Sequence, residues 1–162
     1  MEKLGNKAAL GFRQMEILLC MALGCSYEET AFFLGISVHT VRAYLRQVLQ
    51  RLEARGRTHA LILALLEGLL DLQTLEELES PKELEVDLKW GPLTNQILML
   101  VALGYHNKDI GRALNYSEKY IRNIVHVISG TLGARNRVHL ITLTLIKRQL
   151  DLGRLGIEIA TE

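Results

Sequence analysis

The chain has 162 residues, of which 49% are hydrophobic and 6% aromatic, and it contains only two prolines. This composition suits one or two small helical domains, and the apolar runs are too short to cross a bilayer, so no membrane partner is expected. The N-terminus lacks the apolar core of a secretory signal, which favours the cytoplasm. Two cysteines without a second pair exclude a cysteine-based zinc site, and a net charge of +1 gives no overall attraction for nucleic acid.

The first two predicted helices lie between residues 12 and 34. A helix is predicted over about 12–23, and Gly24 follows it at a position where helices commonly end. A second helix is predicted over about 27–34, because Ser26 can cap it and Glu29 can complete a capping box.

Two further helices are predicted after short breaks. Ser37 is a cap for the third, in which apolar residues recur at intervals of four, three and four: Val41, Leu45, Val48 and Leu52. The fourth is predicted from Thr58 to Leu70. A short helix, a three-residue turn and a longer capped helix together describe a helix-turn-helix.

Residues 73–89 (QTLEELESPKELEVDLK) carry six acidic and two basic residues and no glycine. Within them, Ser80 and Pro81 resemble the start of a helix, with Glu83 completing a capping box. Leu84 and Leu88 would share one face of that helix. We therefore predict an acidic, partly helical linker.

The chain then repeats itself. Residues 90–152 align with residues 10–72 at a distance of eighty positions without a gap, and 19 of the 63 aligned pairs are identical. The repeat predicts three segments: a first domain over 1–72, the linker over 73–89 and a second domain over 90–162. The expected fold is all-α, with eight helices in two four-helix domains related by a pseudo-two-fold axis near the fourth helices, Thr58 to Leu70 and Val138 to Leu150.

Charge is distributed unevenly between the two copies. Copy one, residues 10–72, has six arginines against six acidic residues, whereas copy two, residues 90–152, has eight basic residues against three acidic ones. In the net charge of the chain, the acidic linker therefore offsets the positive charge of the second copy. Such a distribution is compatible with binding to nucleic acid.

An ordered set of motifs carries a family resemblance. Copy one has Gly24, the Ser26–Glu29 pair and Ser37 followed by Thr40-Val41 at the family's spacing, and copy two has Gly104, Asn107-Lys108, Ser117 and Arg137. Both copies resemble the LuxR/FixJ (GerE-type) helix-turn-helix domain, over about 126 residues in total. The resemblance implies double-stranded DNA as partner, no cofactor, and pairing through the fourth helices. The molecule would then be either a monomer with an internal pseudo-dimer or a homodimer.

The same resemblance indicates which residues would contact DNA. In copy one, the outer face of the third helix carries His39, Thr40, Arg42, Ala43 and Arg46. In copy two, that face carries Lys119, Tyr120, Arg122, Asn123 and His126. The corner before the fourth helix would contact phosphates through Arg55, Arg57, Thr58, Arg135 and Arg137. Arginine can read guanine or hold a phosphate, and asparagine can pair with adenine.

Two alternatives stay open for these residues. The third-helix side chains can be an ordinary solvated face, and a corner arginine can be structural, bound to a loop of its own domain. If both copies bind DNA, we expect copy one to read bases, because its third helix has three arginines and no acidic residue up to Leu52. Copy two, with Gly130 inside its third helix and the larger positive charge, is expected to anchor the protein.

Nothing in the sequence indicates an enzyme or a metal site. There is no serine–histidine–aspartate set, phosphate-binding loop or pair of catalytic carboxylates, and His59 and His139 have no partner at ligand spacing. The rival to DNA binding is a protein-interaction module for RNA polymerase, a sigma factor or another regulator, with DNA binding partly or wholly lost. Phe32 and Phe33 favour this rival, unless the sister copy or the N-terminus covers them.

Overall fold

The computed structural model describes residues 10–79 and 90–161, and within these ranges it contains ten α-helices and no strand. The helices of the first half are α1 (Phe12–Ala22), α2 (Tyr27–Leu34), α3 (Val38–Arg51), α4 (Arg57–Leu66) and α5 (Leu72–Leu78). Those of the second half are α6 (Pro92–Ala102), α7 (Asn107–Leu114), α8 (Glu118–Leu132), α9 (Arg137–Ile146) and α10 (Leu152–Thr161). The predicted all-α class and the tandem helix-turn-helix arrangement are confirmed.

The helix boundaries that depend on local chemistry are also confirmed. The Ser26 Oγ accepts a hydrogen bond from the Glu29 N–H at 3.1 Å, and the Glu29 Oε2 accepts one from the Ser26 N–H at 2.7 Å. The Ser37 Oγ accepts the Thr40 N–H at 3.0 Å and so begins α3. Gly24 follows α1 with a φ of +77°, a left-handed conformation that glycine adopts without a steric penalty.

The predicted length of the fourth helix is wrong in both copies. α4 ends at Leu66 and α9 at Ile146, because the chain turns into left-handed backbone at Gly68 and Arg148. New helices then begin, and neither was predicted. Asp71 caps α5 through its Oδ2, which accepts the Thr74 N–H at 3.1 Å. The helix predicted from Ser80 lies outside the described residues.

The fourth helix of each copy lies at the centre of the molecule. Residues 58–65 of α4 and 138–145 of α9 are all buried. α4 packs on α1 and α3 of its own copy, but also on α6, α9 and α10 of the other half. In the same way α9 contacts α1, α4 and α5. The contact of α4 with α6 thus corresponds to that of α9 with α1, and the contact of α4 with α10 to that of α9 with α5. A pseudo-two-fold arrangement requires such matching pairs.

A glycine–histidine contact occurs twice in this interface. A Cβ built on Gly24 would lie 2.8 Å from the His139 Cβ, and one built on Gly104 would lie 3.0 Å from the His59 Cβ. Each histidine Nδ1 accepts a backbone N–H from the loop before its own helix, at 3.1 Å, so the ring is held in place. The missing glycine side chain therefore allows helix one of each copy to approach helix four of the other.

Polar contacts across the interface are stronger on one side than on the other. The Asn136 Nδ2 donates to the Gly24 carbonyl at 3.0 Å, and the Thr142 hydroxyl donates to the Ala22 carbonyl at 2.7 Å. Glycine and isoleucine occupy the equivalent positions in copy one, 56 and 62, and neither side chain can donate. The interface is therefore pseudo-symmetric in shape and asymmetric in hydrogen bonding.

None of the helices within residues 10–79 and 90–161 is long and apolar enough to cross a membrane.

Candidate nucleic-acid interface

The helix α3 presents one buried face and one solvent-facing face. Its apolar stripe (Val41, Leu45 and Val48, with Leu52 directly after the helix) is buried, as the sequence predicts. On the opposite side His39, Arg42 and Arg46 are exposed, whereas Thr40 and Ala43 are half-buried. The Thr40 hydroxyl lies 2.8 Å from the Ser37 Oγ, so it takes part in the helix cap.

A tyrosine organises the basic residues beside α3. The Arg42 guanidinium lies 5.3 Å from the ring centre of Tyr27, and that of Arg57 lies 5.6 Å from the same ring. Both distances are within the range of cation–π attraction. Tyr27, the first residue of α2, thus holds two candidate DNA-binding arginines near each other.

The outer face of α8 in copy two has a different character. Lys119, Tyr120, Arg122, Asn123 and His126 are all exposed. The Arg122 guanidinium donates to Glu118 of its own helix at 3.0 Å, and the Tyr120 ring stacks on that of Tyr116 with centres 4.8 Å apart.

The corner residues before the fourth helices have distinct environments. Arg135 forms an ion pair with Glu29 of the other copy, and the Arg55 guanidinium lies 4.8 Å from the ring centre of Tyr105, also of the other copy. Arg137 is half-buried and donates to the Asn107 Oδ1 at 2.9 Å and to the Tyr105 carbonyl at 2.8 Å. Arg137 therefore matches the alternative of a structural arginine bound to its own domain, although this does not prevent it from facing a ligand as well.

Glu29 accepts hydrogen bonds from both its cap and its ion-pair partner. The backbone N–H of Ser26 and the Arg135 guanidinium hold the pKa of Glu29 below its usual value. The carboxylate is thus ionised at neutral pH and available to Arg135.

Seven of the predicted site residues line one groove between the copies, with a volume of about 670 Å³. They are His39, Arg42, Arg46, Arg55, Arg57, Thr58 and Arg137, although Thr58 is buried and contributes little polar surface. The structure does not bring the five α8 residues, Thr40, Ala43 or Arg135 into this groove.

Sequence reasoning missed three polar residues of the groove, namely Tyr27, Tyr105 and His106. All three lie at or just before the start of the second helix of a copy, and the family resemblance assigned none of them a contact with DNA. The only available signal was the aromatic residue beside each cap region, and this signal is weak.

The two repeated histidines lie in the interface between the copies. The His139 Nε2 lies 2.7 Å from the Glu79 Oε1, and within the part of the chain that the structure describes no group of three or more metal-binding side chains occurs.

Comparison with known proteins identifies the family. The family described as "Bacterial regulatory proteins, luxR family" matches twice, over residues 8–64 and 94–144, and the two matches fall on the two copies. The chain belongs to the luxR family. Its copies are thus two luxR-type helix-turn-helix domains in tandem.

Named relatives of this luxR-family chain are regulators. It is 41% identical over 51 residues to the HTH-type transcriptional activator RamA of Corynebacterium glutamicum, a match that covers 32% of this chain and 18% of RamA. It is 40% identical over 58 residues to the response regulator protein VraR of Staphylococcus aureus and of Staphylococcus epidermidis, covering 36% of this chain and 28% of VraR. The chain therefore matches less than a third of the length of these relatives. No solved structure shows a significant match.

Proposed function

We propose that this luxR-family chain is a transcriptional regulator that binds double-stranded DNA through the third helices of its two copies, which act as a built-in pair. The observation that carries the proposal is the exposed face of α3, where His39, Arg42 and Arg46 project away from a fully buried stripe. The names of RamA and VraR, a transcriptional activator and a response regulator, support the same class of function. A protein of this class would act in the cytoplasm.

The packing of the fourth helices supports pairing within one chain. α4 and α9 are buried over eight consecutive residues each, and each contacts both copies. Covalent fusion makes this pairing independent of protein concentration and lets the two halves read different sequences. A monomer of 18.3 kDa is therefore expected in light scattering at all accessible concentrations, and a mass twice as large would favour the homodimer.

Salt dependence is the first test of DNA binding. Each arginine or lysine that neutralises a phosphate releases counterions, so the affinity for random duplex DNA should fall steeply as salt rises. Fluorescence anisotropy of a labelled duplex, titrated with the full chain at four or five salt concentrations, measures the slope. Absence of binding at low salt, or a flat slope, would favour the protein-interaction rival.

We further propose that copy one reads bases while copy two anchors the protein. Arg42 and Arg46 lie on a helix with no acidic residue, whereas Arg122 is already paired with Glu118 of its own helix. Base contacts set specificity, and phosphate contacts set general affinity.

Two double variants separate these roles, once a target sequence has been selected from a random DNA pool. Arg42→Ala with Arg46→Ala should collapse the ratio of specific to random binding, with about 1–3 kcal/mol lost per base contact. Lys119→Ala with Arg122→Ala should lower both affinities and preserve the ratio. The reverse pattern contradicts the assignment of roles, and no effect from either pair contradicts DNA binding through these helices.

The protein-interaction rival also has an observation in its favour. Phe32 and Phe33 are 83% and 66% exposed, with rings in a T-shaped arrangement 5.9 Å apart, so the sister copy does not cover them. Exposed adjacent aromatic residues are typical of protein contacts. Binding of the full chain to purified RNA polymerase holoenzyme, lost in Phe32→Ser with Phe33→Ser while DNA binding persists, would add this role to DNA binding.

A further inference from the structure

We propose that the groove between the copies, the inter-copy groove, binds a small polyphosphate anion, one per chain. This site does not depend on DNA binding, although one of its consequences does.

Guanidinium groups from both copies line the inter-copy groove. On the copy-one side, Arg42 and Arg57 are held around the ring of Tyr27. On the copy-two side, the Arg137 guanidinium is fixed by hydrogen bonds to the Asn107 Oδ1 and the Tyr105 carbonyl. Side chains held in this way lose little conformational entropy when a ligand arrives, which is the condition for a pre-organised site.

The described residues that line the groove carry charge of one sign. Its described lining includes five arginines and two histidines, and among those described residues none is acidic. Like charges gathered in a concave site raise the local potential and attract a counter-ion of opposite sign. The guanidinium group of arginine binds phosphate oxygens through paired hydrogen bonds, and the grouping of Arg42, Arg46, Arg57 and Arg137 favours an anion with several negative charges over a single carboxylate.

The size of the groove suits a small molecule. A volume of about 670 Å³ lies in the usual range for small-molecule sites, roughly 300–1,000 Å³.

The pseudo-symmetric position on the other side of the molecule does not form a second site. There the loop around Arg135 lines a second depression together with Glu28 and Glu29, which Tyr27 and Arg57 also border, and Arg135 is paired with Glu29. The residues equivalent to Arg46 and Tyr105 are His126 and Cys25, so both a charge and a ring are lost. One anion per chain follows from this asymmetry.

A consequence for regulation rests on the proposed function. Arg42 and Arg46 line the groove and also belong to the α3 face that would contact DNA. A polyphosphate held between them and copy two would occupy donors that the DNA requires. The two ligands should therefore compete.

Isothermal titration calorimetry of the full chain tests the site, with tripolyphosphate as probe and sulfate at the same ionic strength as reference. We expect tripolyphosphate to bind at one per chain and sulfate to bind at least tenfold more weakly. Arg57→Gln should weaken tripolyphosphate binding about tenfold or more, the effect of losing one charge-assisted hydrogen bond. Arg57 is exposed at the start of α4, and Arg46→Gln, at a second exposed position of the groove, should give a similar loss.

Arg112→Gln is the matched control, because Arg112 is 70% exposed on α7, paired with Asp109 and outside the groove. It removes the same charge and should change the affinity less than twofold. Equal losses in Arg57→Gln and Arg112→Gln, or sulfate binding as tightly as tripolyphosphate, would overturn the site.

DNA binding measured on the same preparations separates the two proposals. Salt-dependent DNA binding without tripolyphosphate binding overturns this inference alone and means that the groove holds backbone phosphates at most. Tripolyphosphate binding without DNA binding supports the site and overturns the proposed function. Binding of both, with tripolyphosphate displacing a labelled duplex more effectively than sulfate of equal ionic strength, supports the competition, and equal displacement overturns it.

Discussion

The pairing of the copies makes a quantitative prediction for Gly24. Its φ of +77° costs any other residue about 1–2 kcal/mol, and the Cβ of an alanine would lie 2.8 Å from the His139 side chain. Relieving such an overlap in a packed interface costs about 1–3 kcal/mol more. We therefore expect Gly24→Ala to reduce the free energy of unfolding by about 2–5 kcal/mol in total.

Gly35 provides a control for the cost of placing an alanine in left-handed backbone. It has a φ of +63°, and nothing lies within 4 Å of the Cβ it would gain, so Gly35→Ala should cost only the left-handed conformation, about 1–2 kcal/mol. Gly104→Ala should fall between the two, because its Cβ would lie 3.0 Å from the His59 Cβ. The gain from stiffening the unfolded chain is common to all three substitutions and cancels in the comparison.

Urea denaturation followed by far-ultraviolet circular dichroism gives the three values. The expected order of loss is Gly24→Ala, then Gly104→Ala, then Gly35→Ala, with about 1–3 kcal/mol between the first and the last. If Gly24→Ala and Gly35→Ala agree within about 0.5 kcal/mol, the packing of Gly24 on His139 does not exist in solution and the internal pair is wrong.

Three further predictions concern other side chains. Thr142→Val should lower the free energy of unfolding by about 1–2 kcal/mol, because it removes a buried hydrogen bond between the copies. Thr144→Val should lower it less, because the Thr144 hydroxyl donates only within its own helix. Equal urea midpoints for the two variants would contradict this prediction. The lowered pKa of Glu29 means that its contribution to stability is complete above about pH 4.5 and is lost as the pH falls through the folded-state pKa. The urea midpoints of the wild type and Glu29→Gln should thus converge on acidification, and a gap independent of pH would mean that Arg135 does not depend on that charge. Burial raises the pKa of the Cys20 thiol to about 11. Because the thiolate is the reactive form, alkylation of Cys20 by iodoacetamide at pH 8 should be slower than that of an unfolded control by about two orders of magnitude. Comparable rates would contradict the burial of Cys20.

Local structure was predictable where one residue satisfies a nearby backbone group. Ser26 and Ser37 cap the helices they were expected to cap, since the partner N–H groups lie only three residues along the chain. The helices α5 and α10 were not predicted, because the sequence prediction extends the fourth helices over the leucines after Glu67-Gly68 and after residues 147–149. The chain instead turns into left-handed backbone at Gly68 and Arg148.

The candidate site was predictable only as faces of single helices. The repeat assigns Arg57 and Arg137 the same position, yet the first stacks on Tyr27 and the second donates to Asn107 and to the Tyr105 carbonyl. The difference arises because tyrosine at 27 and asparagine at 107 offer a ring and an amide oxygen to equivalent arginines. A pattern within one helix cannot show which side chains another helix brings close.

The sequence by itself determined the helical class, the tandem repeat, the caps and the buried stripe of α3, because these depend on spacing and on short-range hydrogen bonds. The tertiary structure decided how the copies pair and where their basic residues meet. α4 and α9 are buried on every side over eight residues, so their composition indicates burial without indicating a partner. The partner is chosen by contacts between residues more than a hundred positions apart, such as the fit of Gly24 against His139, which follow from shape in three dimensions.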